Sequence, residues 1–269
     1  MSATIVDGRA IAADMYADLA PKFARLGRTV RLGIVVVGAN PVIESFVKIK
    51  TRSAEKLGIE MVRMNVSEHS DMGKIQQAVD RLVRDTDAVI VQLPLPQNIS
   101  TEEVLSTLPA DKDVDALNPR IEESERPVHA PVALAVVEIL KRNSVVINGA
   151  RAVVVGSGRL VGAPSAWLLE SLGANVSIFS LEEGAIEDLK EADIVVLGAG
   201  NPGFIKGEHL KPGAAVIDAG TSELKKKITG DADPSCAEVA SILTPVPGGV
   251  GPVAVAMIFR NLFDLVTMR

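Results

Sequence analysis

Short aliphatic runs alternate with longer segments of helical periodicity along the whole chain, and no other feature limits the fold as strongly. Leu32 to Val37, Met61 to Val66 and Ala88 to Leu93 read as strands, with helical patterns over 9–26, 41–57 and 72–84 before and between them. The second half repeats the order, with Arg151 to Val155, Asn175 to Phe179, Asp193 to Leu197 and Ala215 to Asp218 as strands and Ala163 to Leu172 as a crossover helix. Runs that are apolar at nearly every position belong to strands covered on both faces. The expected class is therefore α/β, with parallel sheets under helices on both sides. Val132 to Lys141 reads as a linking helix and Val253 to Met268 as the last one.

Two stretches break the alternation with constrained backbone. Thr244-Pro245-Val246-Pro247-Gly248-Gly249-Val250-Gly251-Pro252 holds three prolines and three glycines in nine residues, directly before the last helix. Proline fixes φ and glycine lets a ligand approach the main chain, so the segment reads as a stiff loop with accessible N–H groups, or as a rigid interdomain turn. The second stretch follows three valines: Gly156-x-Gly158-x-x-x-Gly162 runs into an amphipathic helix. That layout suits pyrophosphate at a helix N-terminus, although close packing of helix on strand asks for the same glycines.

Side chains with chemistry stand near these elements. On the 41–57 pattern, Ile43, Phe46, Val47, Ala54 and Leu57 share one face, and Lys50 lies within it, opposite Glu44, Lys48, Arg52 and Glu55. A lysine in such a stripe snorkels, pairs with a carboxylate or opens into a cavity, because an isolated buried ammonium is costly. Gln92 ends an aliphatic strand before the stiff Leu93-Pro94-Leu95-Pro96 turn, which either aims its amide into a cleft or ties it to its own loop. Asp111, Asp113 and Asp115 form an acidic loop that reads as a solvated turn, a helix-capping element or a cation site.

Composition excludes several classes. A net charge of −6 gives no general attraction for nucleic acid or an anionic membrane, and the longest basic run is Lys225-Lys226-Lys227, a solvated turn. The N-terminus lacks a basic region followed by an apolar one, and no apolar run approaches the roughly 18 residues of a membrane span, so a cytoplasmic protein is expected. One cysteine, Cys236, rules out an internal disulfide, and His69, His129 and His209 are too scattered to ligate a metal; no metal is expected.

Taken together, Val91-Gln92-Leu93-Pro94-Leu95-Pro96, Asp111-Lys112-Asp113-Val114-Asp115, Gly156-Ser157-Gly158-Arg159-Leu160-Val161-Gly162-Ala163-Pro164 and the 244–252 loop resemble the motifs of the FolD family, bifunctional methylenetetrahydrofolate dehydrogenase/cyclohydrolases, and occur in the family's order. With Ile5-Val6-Asp7-Gly8 near the start, the resemblance covers nearly the whole chain. It implies a folate-binding catalytic domain over 1–118 plus 253–269, a Rossmann-type NAD(P)-binding domain over 119–252 and an active-site cleft between them. It implies oxidation of 5,10-methylenetetrahydrofolate, hydrolysis of the methenyl product to 10-formyltetrahydrofolate, and a homodimer joined through the cofactor domain.

By the same resemblance Lys50, Gln92 and Asp115 are catalytic, and Phe46, Pro94, Gly249 and Pro252 bind the folate. Gly156, Ser157, Gly158, Arg159, Leu160, Val161, Ser180, Gly198, Ala199, Gly200 and Thr221 bind the dinucleotide. The family mostly uses NADP, for which Ser157 and Arg159 supply partners, while Ser180-Leu181-Glu182-Glu183 after the second strand favours a free ribose hydroxyl and leaves NAD open. The sequence departs from the family where Phe46 replaces a usual tyrosine, Ile43 a frequent serine, and Ala130 and Ala254 threonines. Two hydroxyls are thus missing near Lys50, which keeps a dehydrogenase with weak or no cyclohydrolase activity in view as an alternative. A non-catalytic nucleotide-responsive protein is a more distant one.

Overall fold

The computed structural model of the protein describes residues 2–180, 186–224 and 227–268. Leu181, Glu182 and Glu183 of the acidic segment, and Lys225 and Lys226 of the basic triplet, lie outside the described residues.

In chain order the elements are β1 (Thr4–Ile5), α1 (Gly8–Ala24), β2 (Arg31–Val37), α2 (Pro41–Lys56), β3 (Glu60–Val66), α3 (Met72–Asp85), β4 (Ala88–Val91) and α4 (Thr101–Leu105). They continue with α5 (Pro131–Arg142), β5 (Arg151–Val155), α6 (Gly162–Ser171), β6 (Asn175–Phe179), β7 (Ile194–Leu197), β8 (Ala215–Asp218), β9 (Ser222–Leu224) and β10 (Lys227–Thr229). The chain closes with α7 (Cys236–Val239), β11 (Ile242–Leu243) and α8 (Val250–Thr267). These fall into two compact units, Met1–Ala13 with Ala130–Met257, and Asp14–His129 with Ile258–Arg269.

The unit built on Asp14–His129 has a three-stranded sheet in the order β3-β2-β4, with both pairings parallel. Central β2 is buried from Leu32 to Val37, as its unbroken aliphatic run requires, whereas edge strand β3 alternates between exposed and half-buried positions. Val35, Val37, Val89 and Val91 of the sheet pack with Ile75, Val79 and Leu82 of α3. Asn40 caps α2 by accepting from the Val42 and Ile43 amides, with Pro41 in the first turn, and Asp71 caps α3 through the Lys74 amide. On the free side of β4, the Val89 amide donates to Lys112 O at 2.8 Å, which lays the acidic loop beside that strand.

The other unit carries a six-stranded sheet in the order β1-β11-β8-β7-β5-β6, parallel throughout, with β9 and β10 as a separate hairpin. Central strands β7 and β8 are wholly buried. Asp7 caps α1, accepting from the Arg9 and Ala10 amides at 3.0 Å each. A Cβ on Gly8 would stand 1.8 Å from Gly249 O, so the two distant glycine motifs are required by one backbone crossing.

Three expectations need correction. The strand expected to reach Leu93 ends at Val91, because Gln92 turns its amide back onto Leu93 O and Pro94 has no N–H to continue a ladder. The last helix begins at Val250 rather than Val253, taking Gly251 and Pro252 into its first turn, where the orphan N–H positions tolerate proline. That helix is also 18 residues long with a mean hydropathy of 1.4, which by length and composition is enough to cross a membrane, contrary to the expectation that no apolar run approached a span. Of that window 56% is buried inside the protein, where Val253, Ala256, Phe259, Leu262 and Leu265 pack as core.

Candidate active site

Within the smaller sheet's unit, the elements carry three expected residues to one place. Lys50 comes from α2, which leaves β2; Gln92 follows β4; and Asp115 comes from the loop along the free side of β4. The Gln92 amide N still donates to Val35 O at 3.0 Å, so the residue is held in register one step past its strand. Lys50 Nζ donates to Gln92 Oε1 at 3.0 Å, and Gln92 Nε2 donates to Leu93 O at 2.8 Å. The reading that ties the glutamine to its own loop is met by one end of its amide, and the other end accepts from the lysine.

Burial lowers the pKa of Lys50, and the Asp115 carboxylate offsets part of that shift. Reciprocally, burial raises the pKa of Asp115 and Lys50 draws it down. Lys50 is thus half-buried, anchored to a neutral amide and within the field of one carboxylate, with burial holding its pKa below the ordinary lysine range.

The acidic loop divides its labour. Asp111 is exposed, whereas Asp113 is 3% exposed and its Oδ2 accepts from the Leu117 and Asn118 amides at 2.7 Å each. Asp113 is thus neither solvated nor a helix cap, since no helix begins at 117 or 118; it braces the loop itself. Burial pushes its pKa up to about 6 against those two amides. Asn261 from α8 adds a clamp, donating to Val114 O at 2.9 Å and to His129 O at 2.8 Å. Between the clamped points Ala116 adopts φ 55, a left-handed conformation that costs a residue with a Cβ.

Phe46 departs from expectation: placed by periodicity in the apolar stripe, it is 38% exposed, on the flank of α2 with Val42 and Ile49, while Ile43, Val47 and Ala54 are buried. The tight packing side of the helix is narrower than the sequence stripe, and Phe46 is left as an open aromatic surface. Pro94 is exposed as well. In the other unit Gly249 is buried and Pro252 half-buried, and a Cβ on Gly249 would meet Thr244 Cβ at 2.6 Å.

The glycine turn joins β5 to α6. Gly156 has φ 99, and a Cβ there would come within 2.8 Å of Gly198 O; a Cβ on Gly162 would stand 1.8 Å from Gly156 O. Gly158 has nothing within 4 Å of its absent Cβ. Packing thus explains the outer two glycines, and the middle one faces open space in an exposed stretch running from Ser157 to Leu160. Val161 packs against Gly198, so the turn after β7, with Ala199 and Gly200 exposed, adjoins the glycine turn. The Gly156 amide donates to Phe179 O at 2.7 Å, which sets Ser180 beside the turn, and Ser222 Oγ donates to Gly200 O at 2.9 Å, which brings exposed Thr221 close to it. All the expected dinucleotide residues are at the carboxyl ends of β5, β6, β7 and β8, the edge where open parallel sheets take ligands.

The sequence reading missed Asp231, which is buried under these loops beside buried Asp218, the first residue of the Asp218-Ala219-Gly220 loop that the family resemblance places next to the cofactor. A carboxylate in a loop is indistinguishable in sequence from a solvated one; its only signal here is the neighbouring glycines, Gly220 and Gly230, which leave it room. Among the described residues no cluster of three potential metal ligands occurs.

Residues 6–115 match the family profile "Tetrahydrofolate dehydrogenase/cyclohydrolase, catalytic domain", and residues 130–269 match "Tetrahydrofolate dehydrogenase/cyclohydrolase, NAD(P)-binding domain". The chain is 36% identical to the bifunctional protein FolD of Lacticaseibacillus paracasei over 279 aligned positions that cover 99% of each chain. Among solved structures it superposes on the Campylobacter jejuni FolD methylenetetrahydrofolate dehydrogenase/cyclohydrolase with a TM-score of 0.94 at 29% identity, covering 100% of both chains. The Trypanosoma brucei FolD, complexed with NADP cofactor and inhibitor, gives 0.93 at 31% identity and covers 100% of this chain and 98% of its own.

Proposed function

The chain belongs to the tetrahydrofolate dehydrogenase/cyclohydrolase family, and we propose that it oxidises 5,10-methylenetetrahydrofolate to the 5,10-methenyl cation with NADP and then hydrolyses that cation to 10-formyltetrahydrofolate. The observation that carries this reading is the bond from Lys50 Nζ to Gln92 Oε1 at 3.0 Å in the field of Asp115. No structural need of the fold calls for a half-buried amine held by a neutral amide at that place.

The turn from Gly156 to Gly162 fits a dinucleotide: its N–H groups precede α6, Gly158 leaves space for a phosphate, and Arg159 offers a cation to a 2′-phosphate. Bound NADP supplies the hydride acceptor. The NADP complex of the Trypanosoma brucei relative supports that choice of nicotinamide.

The protein's own groups do the rest. Asp115 accepts hydrogen bonds from the amino-pyrimidine edge of the pterin, fixing its orientation as well as holding it. Phe46 offers an aromatic face to the substrate, and Pro94 stiffens the turn after Gln92. When water adds to the methenyl cation, both its protons must leave the oxygen that becomes the formyl carbonyl: one reaches the ring nitrogen whose bond to that carbon breaks, and the other is released to solvent as the cation's charge is lost. Lys50 in its neutral form takes a proton from the incoming water and, as ammonium, delivers it to that nitrogen, while the second proton leaves the carbinol oxygen for solvent as the carbonyl forms. Gln92 steers the amine through both steps, since its oxygen accepts from the ammonium and tolerates the free amine.

We further assign the protein to the cytoplasm and to a homodimer formed through its dinucleotide-binding unit, whose sheet ends in the exposed edge strand β6. Its acidic charge gives neither nucleic acid nor an anionic membrane a reason to bind.

A spectrophotometric assay with methylenetetrahydrofolate, run separately with NADP and NAD, tests the reading. Reduction of NADP without build-up of methenyl product is expected. Reduction with a persistent methenyl signal would reject the hydrolytic half, a clear preference for NAD would overturn the cofactor, and no reduction with either would reject the whole.

A further inference from the structure

Two carboxylates that the reaction does not use lie buried under the cofactor loops. Asp218, at the end of β8, and Asp231, just after β10, are 2% and 0% exposed. Asp218 Oδ1 accepts from the amides of Gly220 at 2.9 Å and Asp231 at 3.2 Å, and its Oδ2 accepts from that of Ala232 at 2.8 Å. Asp231 Oδ2 in turn accepts from Ala199 N at 2.8 Å and Gly200 N at 3.0 Å. The two acids form a chain of contacts from the end of β8, through residues 231 and 232, to the exposed turn after β7.

Asp231 is also costly. Its Oδ1 is buried with no hydrogen-bond partner among the described residues, and a carboxylate oxygen in that state keeps its desolvation penalty. Gly220 has to be glycine to admit it, since a Cβ there would stand 2.4 Å from Asp231 Cγ. An apolar residue would fill the same space more cheaply, so what Asp231 does lies with its other oxygen. That oxygen holds two successive amides of a turn in which Gly200 has φ 69, a turn with no regular ladder of its own to keep its shape.

We infer that Asp231 is a positioning residue for dinucleotide binding: by fixing the Ala199 and Gly200 amides it sets the turn beside the phosphate loop in the shape that the cofactor requires. The inference rests on the assignment of Gly198, Ala199 and Gly200 to the cofactor site made above. Asp231 acts through the turn rather than by touching the ligand, because no part of its side chain reaches the surface.

The test uses the full-length enzyme and three variants. Asp231→Leu replaces both acceptor oxygens with methyls on the same branched skeleton, Asp231→Ala removes them with a smaller side chain, and Asp231→Asn keeps one oxygen to serve both amides. Leu and Ala variants are expected to weaken NADP binding at least tenfold while hydrolysing methenyltetrahydrofolate, assayed without cofactor, within about twofold of wild type; Asn should bind NADP within about threefold. Unchanged NADP affinity in a folded Leu or Ala variant, or loss of hydrolysis in step with loss of binding, would overturn the inference. Hydrogen exchange on the wild type supplies the remaining arms. Amides 199 and 200 must already be slow without ligand, and fast exchange there would sink the role of Asp231 even if neither variant folds. Added NADP must protect the surrounding 198–200 segment further; no added protection would refute the cofactor assignment itself, a different failure from that of Asp231.

Discussion

Lys50 donates to Gln92 across 3.0 Å although the two residues are 42 positions apart and come from different elements. The partner's identity matters as much as the distance. A carboxylate in place of Gln92 would pin the amine as ammonium, whereas an amide oxygen stabilises the charge by a single neutral hydrogen bond and leaves burial free to lower the pKa. Asp115 supplies the one negative field, near enough to register on Lys50 and with no direct hydrogen bond between them among those described. The arrangement lowers the pKa of the lysine by burial and lets Asp115 offset part of that shift, without a carboxylate bonded to the amine.

Replacing Lys50 with methionine removes that group while keeping the length of the stem. Hydrolysis of the methenyl compound should fall by roughly 10²-fold or more, the usual scale for loss of a positioned acid/base. Hydride transfer, which requires alignment rather than proton movement, should retain most of its rate. Following both signals in one reaction checks this: methenyl product should accumulate with the variant, and hydrolysis at the wild-type rate would remove Lys50 from the mechanism.

Buried acids give the stability an unusual pH dependence. Burial pushes both Asp113 and Asp218 up to about 6, each opposed by backbone amides. In the unfolded chain the same groups release their protons near 4. Between about pH 4 and 6 the folded state therefore holds more protons than the unfolded one, and stability falls as pH rises through that window, by an amount on the order of 2–3 kcal/mol per group. Glu44 and Asp193 run the other way: hydrogen bonds from Arg63 and Lys211 hold their carboxyls below the usual range, so what they contribute is lost only as pH falls below about 4. Thermal unfolding should thus have a higher midpoint at pH 5 than at pH 7.5, and Asp113→Asn should shrink the difference. A midpoint that climbs steadily from pH 5 to 7.5 would contradict the placement of these acids.

Ala116 offers a test of backbone strain. At φ 55 its Cβ meets the preceding backbone, a cost of about 1–2 kcal/mol for a non-glycine residue, and glycine would relieve it at an unfolded-state entropy cost of about 0.4–1 kcal/mol. Glycine also gives up the buried methyl of Ala116, 5% exposed, at about 0.8 kcal/mol. The terms nearly cancel, so Ala116→Gly should stay within about 1 kcal/mol of wild type, a shift of under about 4 °C in unfolding midpoint, where the same change at an unstrained buried alanine costs more. A larger fall would mean that Ala116 carries less strain than its dihedral implies.

How far these features were legible in the sequence depends on their range. The α2 pattern and the aliphatic runs of β2, β5 and β8 are local, and periodicity found them within a residue or two. β1 and β11 are two residues each and exist because they pair with each other and with β8, a fact no window of sequence contains. The three aspartates from 111 to 115 are spaced alike, yet only contact with the amides of residues 117 and 118 separates the buried brace from its neighbours. Phe46 shows the same limit in reverse, since helical spacing assigns it to a face without saying how wide the covering surface is.

The glycines of the phosphate turn separate folding from binding. Alanine at 162 would put a methyl 1.8 Å from Gly156 O, a backbone atom that cannot swing away, so Gly162→Ala should lower the unfolding midpoint and weaken NADP together. Alanine at 158 meets nothing within 4 Å, and Gly158 is absent from the positive-φ positions, so Gly158→Ala should leave the midpoint unchanged within about 1 °C. Any effect of that second methyl can arise only when something occupies the space beside the turn. A rise in the KM for NADP of about tenfold, with methenyl hydrolysis untouched, is the expected result, because a pyrophosphate held by successive amides leaves no room for a Cβ. A normal KM would show that the cofactor's phosphates lie away from Gly158, and it would move the binding site off the turn on which the dehydrogenase assignment depends.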